Sequence, residues 1–358
     1  MTVERQIKYS QALREAIDQC MAKDPAVFII GEGVPDPKGI FGSTLGLKEK
    51  YGSGRVMDMP VCENGMTGIC IGAALRGFRP ILTHQRVDFA LLSLDQIINN
   101  AAKWHFMFGG QMNIPLVIRM VVGRGWGQGA QHSQSLQALF AHIPGLKVIM
   151  PATPHDAKGL LVSAIEDDNP VISIEHRWLY DIEGHVHQDP YRIPLGKASV
   201  VRKGDMVTIA AVSHMTIEAI RAAQILEKKG ITAEVIDLRS IRPLDFETVS
   251  QSVKKTGHLI VADCGWLSFG VSAEIAARAT EGAWKSLKKA PRRIALPEIP
   301  MPSAPSLTED FYPGYRAIVQ AAWELLGKDA NELKTLLKEA QSEVNPHDVP
   351  DLSFRGPF

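Results

Sequence analysis

Cysteine is scarce in this chain and never paired. The four cysteines, Cys20, Cys62, Cys70 and Cys264, form no CxxC, which excludes a disulfide framework and a zinc site of the usual spacing. Charge of one sign is lacking too: Lys and Arg together number 39, and so do Asp and Glu. A balanced chain is a poor candidate for nucleic acid or an anionic membrane surface as its partner. No apolar run approaches the ~18 residues of a membrane span. The opening Met1-Thr2-Val3-Glu4-Arg5-Gln6 lacks the basic segment and apolar stretch of a secretory signal. Together these absences make a cytoplasmic protein the expectation, and a mature organelle protein relieved of its transit peptide would read the same way. Also missing are GxGxxG after a strand and GxxxxGK[ST], the two commonest phosphate cradles of α/β proteins.

What is present reads as an ordinary folded chain. Its 358 residues suggest two domains at ~150 residues each. Hydrophobic residues at 45% and charged ones at 22% exclude collagen-like, low-complexity and mostly disordered chains. Leu13, Ala16, Ile17 and Cys20 share one face of a helix predicted over 7–21, and Val27-Phe28-Ile29-Ile30 follows as a buried strand ending at Gly31. The alternation continues with helices over 66–75, 91–103 and 156–167 and strands over 79–82, 115–120, 146–150 and 170–175. From 176 to 204 the period is lost and His, Asp, Pro and Gly gather, as in an interdomain connection. It then resumes with strands over 206–212, 233–238, 258–262 and 293–296 and helices over 216–229, 246–255 and 271–287. Strands spaced by such helices imply two three-layer α/β/α domains with mostly parallel sheets, at 1–190 and 191–330, followed by a helix and extended tail over 331–358.

Several residues stand where chemistry is possible, each with a plainer reading beside it. Glu63, between an extended run and a glycine-rich helix, is either a helix cap or a buried acid facing a ligand. His132 follows the glycine-rich stretch from Gly123 to Gly129 and is either a polar loop residue or a group that exchanges protons near neutral pH. Phe89, among Val87, Ala90 and Leu91, reads as a core aromatic. Cys62 has no identifiable histidine partner that would make it a nucleophile.

Over nearly its whole length the sequence resembles the beta subunit of the thiamine-diphosphate-dependent 2-oxo acid dehydrogenases. The resemblance is carried by Gly39-Ile40-Phe41, Glu63-Asn64-Gly65, Asp95-Gln96-Ile97-Ile98-Asn99, Gln131-His132-Ser133-Gln134 and Pro144-Gly145-Leu146-Lys147-Val148. In the second domain it is carried by Asp237-Leu238-Arg239-Ser240-Ile241-Arg242-Pro243-Leu244-Asp245 and Pro300-Met301-Pro302. It implies a transketolase-like pyrimidine-binding domain followed by a transketolase C-terminal domain. It makes Glu63 the acid that bonds the cofactor's aminopyrimidine and promotes its imino tautomer, Phe89 the aromatic against that ring, and His132 a histidine near the substrate. It also implies a potassium site of largely main-chain oxygens at Leu116, Ala164, Ile165, Asp167 and Asn169. No Gly-Asp-Gly occurs in the chain; by the family pattern magnesium and the diphosphate then belong to an alpha subunit in an α2β2 assembly, which serves a dihydrolipoyl acyltransferase core.

Two stretches depart from the family pattern. Arg86, in Thr83-His84-Gln85-Arg86-Val87-Asp88, stands where an aromatic residue is common, and is either an ion-pair residue at the subunit interface or a substrate-binding residue. Val122 replaces an asparagine common in pyruvate-type relatives, and Trp126 replaces a small residue. The activity expected is decarboxylation of a 2-oxo acid with acyl transfer to a lipoyl group. The alternatives are a split transketolase-like or acetoin-cleaving enzyme that needs no lipoate, and a noncatalytic scaffold subunit.

Overall fold

Runs of β-branched and other apolar residues become the strands, and most are buried on both faces, as parallel sheets covered by helices require. The computed structural model describes residues 5–123 and 128–340. Trp126 and the tail expected after residue 340 lie outside these described residues. In chain order the strands are β1 (Gln6–Lys8), β2 (Val27–Ile30), β3 (Val56–Met57), β4 (Arg79–His84), β5 (Val117–Val122), β6 (Lys147–Ile149) and β7 (Val171–His176). They continue with β8 (Glu183–His185), β9 (Ser199–Arg202), β10 (Val207–Ala211), β11 (Ala233–Asp237), β12 (Ser240–Arg242), β13 (Leu259–Trp266) and β14 (Arg292–Leu296).

Two mostly parallel sheets result, each at the centre of an α/β unit. The first has the order β12-β6-β7-β5-β4-β2-β3, the second β14-β13-β10-β11-β9. Only β12 against β6 and β9 against β11 run antiparallel within them. The helices start and stop on ordinary signals. Thr153 accepts from the Asp156 amide at 3.0 Å ahead of Pro154 in the helix Pro154–Glu166. Asp245 caps the helix Phe246–Thr256, which Gly257 ends at φ +75°.

Three differences from the sequence reading stand out, besides the short strands β3, β8 and β9 that it did not expect. Residues 6–8 form β1 rather than a first helical turn, because they pair antiparallel with β8, and the helix begins only at Tyr9. The connection that lacked a period is therefore tied down. Lys158, with a fully buried side chain, reinforces it: the ammonium bonds Glu15 and the carbonyls of His187, Gln188 and Asp189, the last two at 2.9 and 3.1 Å. Secondly, the 91–103 stretch is not one α-helix but a 3-10 turn, Leu91–Ser93, and a π-helix, Gln96–Ala101. Thirdly, β12 went unread. It leaves the second unit to pair with β6, Ser240 opposite Ile149, while Arg239 grips Asp156 with two 2.7 Å bonds.

Candidate active site

The parallel strands β2, β3, β4, β5 and β7 all end on one edge of the first sheet, and the segments leaving those ends carry the candidate residues. In open α/β sheets this is the edge where ligands bind. Glu32 follows β2, Glu63 follows β3, Arg86 to Phe89 follow β4, Gly123 to His132 follow β5, and Arg177 follows β7.

Glu63 is the first residue of the helix Glu63–Leu75, which packs on β4 and on the turn Leu91–Ser93. Cys62, not Glu63, holds the N-cap position, and no side chain caps this helix. The residue is 3% exposed, yet Oε1 has no hydrogen-bond partner among the described residues. A buried carboxyl oxygen left unbonded is costly, so a helix-cap role does not explain it, whereas an arriving donor would. Glu32, also with an unpartnered buried oxygen, stands close enough that burial first, and then the charges of Glu63 and Asp58, push its carboxyl up.

His132 ends the short helix Gly129–His132 and is held from two sides. Its Nδ1 lies 2.8 Å from Asp88 Oδ2, and its ring lies 5.5 Å from that of Phe89 at 33°. Both partners come from the four-residue helix Val87–Ala90. The His132 side chain stays 40% exposed, so the ring is fixed but not covered. Phe89 is half-buried, so it is not the core aromatic that its neighbours suggest.

Arg86 precedes the same helix and is 4% exposed. Its Nη1 donates to the Gly123 carbonyl at 3.0 Å and its Nη2 to Gln128 Oε1. Gly123 has φ +84°, and a Cβ there would lie 2.2 Å from His176 Nε2, so only glycine lets β5 turn away with its carbonyl toward Arg86.

The residues tied to potassium lie at the opposite edge of the sheet, before β5 and β7 and at the end of the helix Pro154–Glu166. Arg79 Nη1 already donates to the carbonyls of Ile165 and Asp167, at 3.2 and 3.0 Å, and Lys147 bonds the Asp167 carboxylate. The Leu116 carbonyl accepts from Val171 at 3.0 Å, that of Ala164 accepts from Asp167 at 3.3 Å, and the Asn169 amide donates to Asp167 Oδ1 at 2.8 Å. Two cationic side chains thus stand where the resemblance puts an ion, and the fit is poor. Among the described residues, no group of three or more His, Cys, Asp or Glu could hold a metal ion.

Sequence reasoning singled out Glu63, Phe89, Arg86 and His132, and the structure puts all four on one sheet edge. It missed Asp88 and Glu32. Glu32 was findable as an acid directly after the glycine that ends β2; the pairing of Asp88 with His132 spans 44 positions and leaves no spacing signal.

Residues 5–182 match the transketolase pyrimidine-binding domain and residues 196–318 the transketolase C-terminal domain. The beta subunit of acetoin:2,6-dichlorophenolindophenol oxidoreductase from Cupriavidus necator is 43% identical, the match covering 89% of this chain and 97% of that protein. The mitochondrial pyruvate dehydrogenase E1 component subunit beta-1 of Oryza sativa subsp. japonica is 42% identical, with 89% and 86% covered. The pyruvate dehydrogenase E1 component subunit beta of Rickettsia bellii is 41% identical, with 88% and 97% covered. A solved structure, the inactive beta4 tetramer of a split-gene transketolase, superposes with a TM-score of 0.72 at 22% identity, covering 90% of this chain and 99% of that one, a likeness of fold.

Proposed function

Since this chain belongs to the family of beta subunits of the thiamine-diphosphate-dependent 2-oxo acid dehydrogenases, we propose that it decarboxylates a 2-oxo acid together with an alpha subunit. The acyl group then passes to a lipoyl group on a dihydrolipoyl acyltransferase core. The observation that carries this reading is the buried, unpartnered Oε1 of Glu63 on the sheet edge that also presents Phe89 and His132.

These residues suit the aminopyrimidine end of thiamine diphosphate. Glu63 would hold it by its ring nitrogen, filling the vacant bond of Oε1, and Phe89 would offer an apolar face. The cofactor, when bound, supplies the electron sink for loss of carbon dioxide. Oε1 of Glu63 is the atom at which a proton would pass between this chain and that ring nitrogen. Asp88 can only accept, so His132 donates from Nδ1 and leaves Nε2 to take up or return a proton on the open side. Magnesium and the diphosphate would be held by the alpha subunit of an α2β2 assembly, and the isolated chain is then expected to bind the cofactor weakly. No step runs through potassium, because Arg79 already bonds two of the five carbonyls, those of Ile165 and Asp167. No described helix is long and apolar enough to cross a membrane; the cytoplasm is proposed as the compartment.

The test is to purify the chain with its alpha subunit, add thiamine diphosphate and magnesium, and survey 2-oxo acids with lipoamide as acceptor. Release of carbon dioxide with acyl-lipoamide is expected; no turnover of any 2-oxo acid would overturn the reading. The 43% identity with the acetoin oxidoreductase beta subunit favours one second reading, cleavage of acetoin. Acetoin as substrate, and an aldehyde in place of lipoamide as acceptor, separate the two. A scaffold subunit would have no use for the unpartnered Glu63 oxygen.

A further inference from the structure

Arg86 carries a buried positive charge that no ion pair among the described residues neutralises, the Asp88 carboxylate acting on it only at longer range. Its acceptors are a carbonyl and an amide oxygen, both uncharged, and Nε has no acceptor among the described residues. Among the described residues no carboxylate forms an ion pair with it. A second guanidinium stands close by. Arg177, leaving the end of β7, lies 4.7 Å from the centre of the Phe41 ring, and Arg86 lies 5.8 Å from the same ring. Burial first, and then the charge of Arg177, pushes the Arg86 guanidinium down to about 10.

Arg177 has Asp181 Oδ2 as a counter-charge at 3.9 Å, whereas among the described residues Arg86 has no carboxylate that close, so the neighbouring guanidinium adds repulsion to a charge already buried. Phe41 is held there at a backbone cost, with Ile40 and Phe41 both left-handed at φ +34° and +56°. Strain of this kind in residues that do not favour it collects where ligands are clamped. The ring remains 37% exposed, so it does not seal the two cations away.

The position gives the ligand its identity. Arg86 lies two residues before Asp88 and three before Phe89, the pair that holds His132. A substrate whose reacting carbon sits by His132 can extend its side chain toward Arg86. We propose that Arg86, with Arg177 near the same Phe41 ring, receives a carboxylate on the side chain of the substrate, so that the preferred substrate is a 2-oxo acid with a second acidic group. A planar fork matches a carboxylate in two prongs, which an aromatic residue at this place cannot do. The inference rests on the decarboxylase reading above and narrows it.

The test uses the complex with the alpha subunit and has a binding arm independent of turnover. In calorimetry, glutarate, a dicarboxylate that cannot react, is expected to bind. Arg86→Met should weaken it at least about tenfold, the weight of one hydrogen bond to a charged group. Arg86→Lys, which keeps the charge and loses the fork, should fall between. In turnover, 2-oxoglutarate is compared with 2-oxopentanoate, which has the same chain length without the second carboxylate. The unaltered enzyme is expected to prefer 2-oxoglutarate in kcat/KM, and Arg86→Met to reduce that ratio by a similar factor. Equal use of both acids by the unaltered enzyme, equal losses for both in Arg86→Met, or dissociation of the complex on size exclusion would overturn the proposal. Arg86-dependent glutarate binding without decarboxylation of any 2-oxo acid would keep the anion pocket and overturn the decarboxylase reading instead.

Discussion

Asp88 Oδ2 meets His132 Nδ1 at 2.8 Å while the imidazole side chain stays 40% exposed. One carboxylate thereby sets both the tautomer and the direction of the ring, and Phe89 fixes its tilt. Asp88→Asn keeps the shape but offers an amide that can donate as well as accept, so the ring can turn over. We expect turnover to fall on the order of tenfold, a part of the ~10² to 10⁴ that a proton-transfer group contributes. The pH profile of kcat/KM should change with it, which loss of a purely structural contact would not produce.

Glu63→Gln should leave the αβ assembly intact and lower turnover by roughly 10² to 10⁴, since an amide holds the same space without a proton to exchange. Size exclusion and steady-state rates at saturating thiamine diphosphate measure the two effects separately. Near-normal rates would return Glu63 to a structural role.

His84, at the end of β4, is 2% exposed, and neither ring nitrogen has a partner. Burial pushes it down to about 4, against ~6.5 in an unfolded chain. The unfolded state therefore binds a proton that the folded state refuses as pH falls below ~6.5. Stability is lost from there down to the folded value, in all on the order of 3 kcal/mol and about 2 kcal/mol by pH 5. His84→Leu should flatten this slope. Denaturant melts at pH 7.5 and pH 5 on both proteins provide the comparison; an unchanged slope would mean that another group titrates.

Lys158→Met removes the ammonium that bonds Glu15 and the three carbonyls of the interdomain connection. Breaking a buried pair by deleting one member typically costs about 3–5 kcal/mol. The denaturation midpoint should drop accordingly, and a loss below ~1 kcal/mol would mean that the strand pairing of β1 with β8 holds the connection alone.

How far these features could be read from sequence depends on their range. β2, β4, β5 and β7 declare themselves locally, because a strand buried on both faces is built mostly of apolar residues, the buried Arg119–Glu175 pair of β5 and β7 being an exception. Ser240 to Arg242 carry no such run, and they form a strand only because β6 offers them an unfilled edge. The same division runs through the site. Glu63 and His132 stand beside glycine-rich stretches that draw attention to them, and the family motifs supply their roles. The solitary charge of Arg86 is a property of what fails to surround it, and no arrangement of neighbouring letters records that. The motif Gly39-Ile40-Phe41 was legible as a family signature, but not as a ring that two guanidinium groups approach.

The pairing of β12 with β6 also bears on how the chain is made. Ser240 reaches Ile149 across 91 positions, so the ribosome finishes β6 long before its outer neighbour exists. Until then the nascent first sheet shows a row of open N–H and C=O groups, the kind of raw border that recruits strands from other molecules. A gene fragment ending in the connection between the units would make that interval permanent. Such a product is expected to aggregate, even though Glu63, Arg86, Phe89 and His132 are all encoded within it.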